Sequence, residues 1–200
     1  MTSRWVVDVQ GQRSYSVDWR FISLWILNED TDAEWYTPEY RRGHLLGHEG
    51  LRIADAIRLE NEGDGGDRDA VGRWYTALGE ALHRDRRRDE ARDDHRAFLA
   101  AVLDEAGFDA ALIDHADDES HDAWLRAETE LALSRTGPDV GTPILSFRPG
   151  TEHEASFFGP VISKAPTGTE ASELWDAVER LARSGVAELK RSNREKPDFG

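Results

Sequence analysis

The chain has 200 residues, with 40 Asp and Glu against 25 Lys and Arg and no Cys, for a formal charge of -15 at pH 7. That length suits one domain, or one domain carrying an insertion, and it can bury a core without disulfides. The negative charge repels phosphate backbones and anionic lipid, and no run of about 18 apolar residues is present to span a bilayer, so nucleic acid and membrane are excluded as partners.

The residues at the start, Met1-Thr2-Ser3-Arg4-Trp5, show no basic segment followed by an apolar run and a small-residue cleavage site, so a cytoplasmic location is expected. Trp5, Val6 and Val9 share one helical face with no capping residue ahead of them, as if the helix were entered in its middle. Val17, Trp19 and Phe21 alternate with Asp18 and Arg20, which predicts a strand over 16–24. Trp25, Ile26 and Leu27 form an apolar shoulder, and Asn28 and Asp30 then favour a turn.

Residues 39–136 read as helical throughout. Ile53, Ile57 and Leu59 give an amphipathic stretch that ends at the Gly-rich loop 61–66, which is expected to be exposed and mobile. Val71, Trp74, Tyr75, Leu78 and Leu82 fall on one helix face. Residues 83–92 mix Arg with Asp and Glu at helical spacing, the pattern of a solvated surface laced with weak ion pairs. Phe98, Leu99, Val102, Leu103 and Ala106 form a further stripe stopped by Gly107, and Trp124, Ala127 and Leu131 one stopped by Gly137-Pro138.

The last quarter changes period. Ile144 to Phe147 and Ala155 to Phe158 predict an antiparallel hairpin with a longer loop, ended by Gly159-Pro160. Thr167 and Glu170 suggest a capping box for a helix whose inner face is Ala171, Leu174, Trp175, Val178, Leu181 and Ala182, closed by Gly185. The order helix, strand, helical insert, two strands, helix is an α/β arrangement.

Local strings narrow that reading. Thr2-Ser3-Arg4-Trp5, Ser23-Leu24-Trp25-Ile26-Leu27-Asn28-Glu29, Tyr75-Thr76-Ala77-Leu78-Gly79, Asp139-Val140-Gly141-Thr142-Pro143, Phe157-Phe158-Gly159-Pro160-Val161-Ile162-Ser163-Lys164, Leu174-Trp175-Asp176 and Glu188-Leu189-Lys190-Arg191 stand in order over nearly the whole chain. In these the chain resembles DsbA-like thiol oxidoreductases, and more narrowly the actinobacterial mycothiol-dependent nitroreductase family. The resemblance implies a thioredoxin-like α/β fold of DsbA type with a helical insertion. Residues 1–38 and 137–200 would form the thioredoxin part, and residues 39–136 the insertion.

Members of that family begin with a strand leading into Cys-Pro-x-Cys, and Thr-Ser-Arg-Trp follows shortly after. The expectation is a late start, with the first β-strand missing and the dithiol absent. A Cys at a helix N-terminus is reactive because unpaired N–H groups and the helix dipole stabilise its thiolate, the attacking species in disulfide exchange. Ser and Thr hydroxyls stay protonated and do not cycle between oxidation states. This chain alone is therefore expected to lack dithiol redox activity, and a lost strand would bare sheet edges that leave a homodimer open as a partner.

By the same resemblance Gly141, Thr142 and Pro143 shape the substrate groove, Pro143 being cis and facing the dithiol, and Asn28 approaches the same cleft. An ordinary turn role fits Asn28 equally. Mycothiol or a similar small thiol is implied as co-substrate, with a nitro compound as substrate and no bound cofactor. The histidines offer the main rival chemistry. His44 and His48 are four apart with Glu49 adjacent, and His115 and His121 are interleaved with Asp114, Asp117, Asp118 and Asp122. Gly43, Gly47 and Gly50 weaken the helix under the first pair, and the second group reads as a solvated acidic turn, so no metal is expected. Asp117-Asp118-Glu119 and the Glu152/Glu154 pair could serve acid–base work only inside a cleft. The leading reading is thus the thiol-dependent nitroreductase type. The alternatives are a non-catalytic binding or assembly paralogue that uses the Pro143 groove or bare strand edges, and a metal hydrolase.

Overall fold

The computed structural model describes residues 1–63, 67, 69–138, 140–193 and 195–198. Asp64, Gly65 and Gly66 of the expected mobile loop, and Asp139 of the string ahead of Pro143, lie outside them. Contacts divide the chain into two units, Met1–Asp18 with Leu131–Gly200, and Trp19–Glu130. Residues 19–38 fall in the unit that holds the helical core, to which Phe21 and Ile26 belong.

In the first unit, α1 (Thr2–Gln12) buries Trp5, Val6 and Val9, and its N-cap, Met1, makes no side-chain bond. Helix α8 (Gly168–Ala182) packs on it through Ala171, and the Trp5 indole donates to the Ala171 carbonyl at 2.8 Å. Around Trp175 gather Trp5, Tyr15 and Phe147, with ring centres 5.0–5.6 Å apart. The expected capping box does not form. Thr167 makes no side-chain cap, and the Asp8 carboxylate accepts the Gly168 N–H at 3.1 Å instead.

The hairpin forms as its two apolar runs dictate. β1 (Ile144–Phe147) pairs antiparallel with β2 (Ala155–Phe158), Ile144 opposite Phe158 and Phe147 opposite Ala155. The Ser146 and Ser156 hydroxyls meet across the pair at 2.7 Å. Arg148 and Gly150 take positive φ in the connecting loop. Among the described residues these are the two strands of the sheet.

The strand expected over 16–24 is therefore corrected. Residues 14–23 enter no ladder, although their burial alternates, with Phe21 and Ser23 buried against exposed Asp18 and Arg20. The alternation in the sequence reports a one-sided contact and not a strand neighbour. Ser23 then caps a short helix, α2 (Leu24–Leu27), by accepting the Ile26 N–H at 3.2 Å.

The second unit is built on α3 (Pro38–Glu60), a continuous helix despite Gly43, Gly47 and Gly50, because Thr37 caps it, Pro38 suits its first turn and the following face is buried. Ile53 and Ile57 point inward, whereas Leu59 is exposed. Helix α4 (Ala70–Gly79) buries Trp74, whose indole donates to the Gly50 carbonyl, and runs into a π turn, Glu80–Arg84. Tyr75, expected inside, lies outside and stacks on Trp19. α5 (Arg88–Asp93) and α6 (His95–Glu105) follow, the latter burying Phe98, Leu99, Val102 and Leu103. Residues 110–121 then wind as two 3₁₀ helices, Ala110–Asp117 and Glu119–His121.

Helix α7 (Asp122–Thr136) turns a different face inward from the one expected. Leu125, Glu128 and Thr129 are buried, while Ala127 and Leu131 are exposed. The polar pair goes in because each finds partners: Glu128 binds Arg20, and Thr129 accepts the Ser23 N–H at 3.1 Å and donates to the Leu125 carbonyl. No helix among the described residues is long and apolar enough to cross a membrane.

Candidate functional site

Gly141, Thr142 and Pro143 stand at the head of β1. Gly141 and Thr142 are exposed, Pro143 is half-buried, and the Thr142–Pro143 peptide is cis, as is Gly159–Pro160 after β2. The Gly159 N–H donates to the Pro143 carbonyl at 2.8 Å, which carries the hairpin pairing one step past the ladder. The Thr2 hydroxyl donates to the Pro160 carbonyl at 2.7 Å, tying the start of α1 to the same end of the hairpin. Asn28 belongs to the other unit, where its side-chain amide donates to the Leu24 carbonyl at 2.8 Å and so closes α2.

The titratable groups concentrate in the second unit. His48, 1% exposed on α3, lies with Nδ1 2.9 Å from the Ser23 hydroxyl and Nε2 3.0 Å from Asp122 Oδ1. Asp122 accepts from Nε2–H, so Nδ1 accepts from Ser23. Burial pushes the His48 pKa down, outweighing the opposite pull of Asp122. Burial works against the Asp122 carboxylate, yet the Arg52 guanidinium and His48 hold it below its ordinary value. Ser, His and Asp in a row suggest a nucleophile, but Ser23 is also 1% exposed and spends an oxygen lone pair on α2. A nucleophile must meet its substrate, so this row joins α2, α3 and α7 and is not a catalytic triad.

A second cluster adjoins α3. His121 is buried and donates from Nδ1 to Asp55 Oδ2 at 2.8 Å, while its Nε2 meets His115 Nδ1 at 3.0 Å and lies 3.9 Å from Asp118 Oδ2. Asp118 Oδ1 accepts the Ser120 N–H at 2.9 Å, and that bond holds the Asp118 carboxyl below its ordinary value. The reading of this segment as a solvated acidic turn is corrected, because one ring is buried and three potential ligand atoms converge. No regular period in the sequence marks the cluster, because Asp118 is extended between the two 3₁₀ helices that carry His115 and His121.

The remaining histidines divide. His44 sits on Tyr36 and burial lowers its pKa, so it and His48, one turn apart, serve different neighbours. His95 is half-buried and bonds Glu49 at 2.8 Å, whose carboxyl pKa burial raises. His83 and His153 are exposed. The carboxylates weighed for acid–base work are exposed. Asp117 pairs with Arg96, and Glu154 with Arg135 and the Gly150 N–H.

Taken together, the fold and these residues define a mostly helical α/β chain with a small antiparallel sheet begun by a Thr-Pro turn. The model of the family "Rv2466c-like: Mycothiol-dependent nitroreductase Rv2466c" matches residues 1–191, and the chain belongs to that family. It is also 28% identical over 183 residues to "Uncharacterized protein Rv2286c" of Mycobacterium tuberculosis (strain ATCC 25618 / H37Rv), spanning 90% of this chain and 70% of that protein.

Proposed function

We propose that this chain serves thiol–disulfide chemistry of the DsbA-like, mycothiol-dependent nitroreductase type, and that Gly141, Thr142 and Pro143 line the groove for the small thiol and the nitro substrate. The observation that carries the proposal is the family match over residues 1–191, within which Gly141 and Thr142 are solvent-accessible at the head of β1. An edge of that kind can hold an extended thiol in strand fashion.

In the reaction, a dithiol becomes a disulfide as two electrons and two protons pass to the nitro group, and the small thiol restores the dithiol. Residues 1–200 contain no Cys, so in this reading they are inactive alone and act with a dithiol supplied from elsewhere. A second reading, a binding or assembly role in the cytoplasm without chemistry, draws on the sheet. Each strand of the hairpin has one outer edge with no strand neighbour among the described residues.

The test joins a strand and a Cys-Pro-x-Cys helix start ahead of Met1. The extended chain should reduce a nitroaromatic with mycothiol as reductant, and residues 1–200 should not. Turnover by residues 1–200 alone overturns the proposal. An inert extended chain, with residues 1–200 sedimenting as a dimer, favours the assembly reading.

A further inference from the structure

We propose that His115, Asp118 and His121 bind one divalent cation of zinc character, with Asp55 as the outer partner that orients His121. The site is independent of the thiol chemistry above. Its ligand atoms, one from each residue, all lie within 4.8 Å of one another. Two nitrogen ligands about 2.0–2.1 Å from a shared ion stand about 2.9 Å apart at a right angle and about 3.3 Å apart at a tetrahedral angle. The two ring nitrogens are 3.0 Å apart, inside that interval. Asp118 is exposed, and its Oδ2, 3.9 Å from His121 Nε2, has room to close on the ion.

The surroundings prepare the donors. His121 gives its Nδ1–H to buried Asp55, the carboxylate–histidine arrangement that fixes a ligating ring and raises its basicity. Asp55 is itself held by Arg58 at 2.8 Å. Asp118 anchors one oxygen on the Ser120 N–H and keeps the other for the site. The competing carboxylates are engaged elsewhere, Asp114 and Asp117 by Arg96 and Asp122 by Arg52. Two imidazoles and one carboxylate suit zinc better than magnesium or calcium, and three protein ligands leave a position for water. On binding, the His115 proton moves to Nε2 and the shared N–H···N bond gives way to two metal–nitrogen bonds.

The test uses tag-free, chelator-stripped protein titrated with Zn²⁺ by calorimetry, in parallel with His115→Ala, Asp118→Asn and, as a surface control, His153→Ala. Asp118→Asn keeps the oxygen that accepts the Ser120 N–H, so it spares the local turn. One Zn²⁺ per chain is expected, with affinity at least tenfold weaker in both ligand variants and unchanged in the control. Cobalt in place of zinc should give the intense visible bands of a four-coordinate site, lost in His115→Ala. Absence of one-to-one binding, or a site that survives both substitutions at full affinity, overturns the proposal.

Discussion

Arg52 grips Asp122 with both prongs of its guanidinium, Nε to Oδ1 and Nη2 to Oδ2, each at 2.7 Å. Its third contact, from Nη1, goes to the Ala116 carbonyl at 3.1 Å, so one side chain of α3 fixes both the first 3₁₀ segment and the start of α7. Removing the carboxylate strands a buried guanidinium and the His48 Nε2–H together. Asp122→Ala should cost about 2–3 kcal/mol, below the usual loss for a broken buried pair because Asp122 is one-third exposed. Urea unfolding followed by tryptophan fluorescence measures it, and a loss under about 1 kcal/mol would show that water replaces the carboxylate without penalty.

His48 sets a pH dependence. Its folded pKa is lowered, chiefly by burial, so below the ordinary value of about 6.5 the unfolded chain binds the proton that the folded chain refuses. Stability is therefore full above that value and falls as pH drops towards the lowered one. His44 is shifted in the same direction, also by burial. Unfolding free energies between pH 7.5 and 5 should decline with acid, at up to about 1.4 kcal/mol per pH unit for each such group. His48→Gln should flatten that slope whatever its effect on absolute stability. An unchanged slope would assign the acid sensitivity to other groups.

What the sequence disclosed follows from which interactions are local. The hairpin, α1 and α8 were legible because their apolar periods persist for several residues and one face of each is buried. The inner face of α7 was not, since nothing near Glu128 announces that Arg20, more than a hundred positions away, makes its burial affordable. Residues 16–24 read as a strand because alternation encodes a buried side and is silent on neighbours. The Thr142–Pro143 turn was found through its family string, whereas the histidine cluster was hidden because extended Asp118 interrupts the two 3₁₀ helices that carry its rings.

The glycines of α3 and α4 separate into those that permit the fold and those that only weaken it. Nothing lies within 4 Å of a methyl added at Gly47, which is exposed mid-helix, so Gly47→Ala should stabilise by about 0.5–1 kcal/mol. At Gly72 the added carbon would stand 2.7 Å from Trp19 Nε1 and 3.1 Å from Cδ1, against a flat ring that stacks on Tyr75 and has no flexible end to yield. Gly72→Ala should destabilise by about 1–2 kcal/mol, with Gly50→Ala between them because its close neighbour is the movable end of Leu78. Thermal unfolding of the three variants gives the order directly, and a stabilising Gly72→Ala would contradict the packing of Trp19 on α4.

Two tryptophans in the first unit touch each other yet should respond oppositely to loss of the indole N–H. Trp5 is fully buried and donates to the Ala171 carbonyl, whereas Trp175 Nε1 is buried with no hydrogen-bond partner among the described residues. Trp5→Phe gives up a made bond and leaves space in a closed corner between α1 and α8, for a cost of about 1.5–3 kcal/mol. Trp175→Phe removes a donor already stripped of water, while the smaller ring can still pack on Trp5, Tyr15 and Phe147. Its transfer loss is offset by relief of the unpaired group, so the net cost should stay below about 1 kcal/mol. Denaturant midpoints for the two variants at one pH decide the matter, and equal losses would mean that Trp175 finds a partner for its indole in solution.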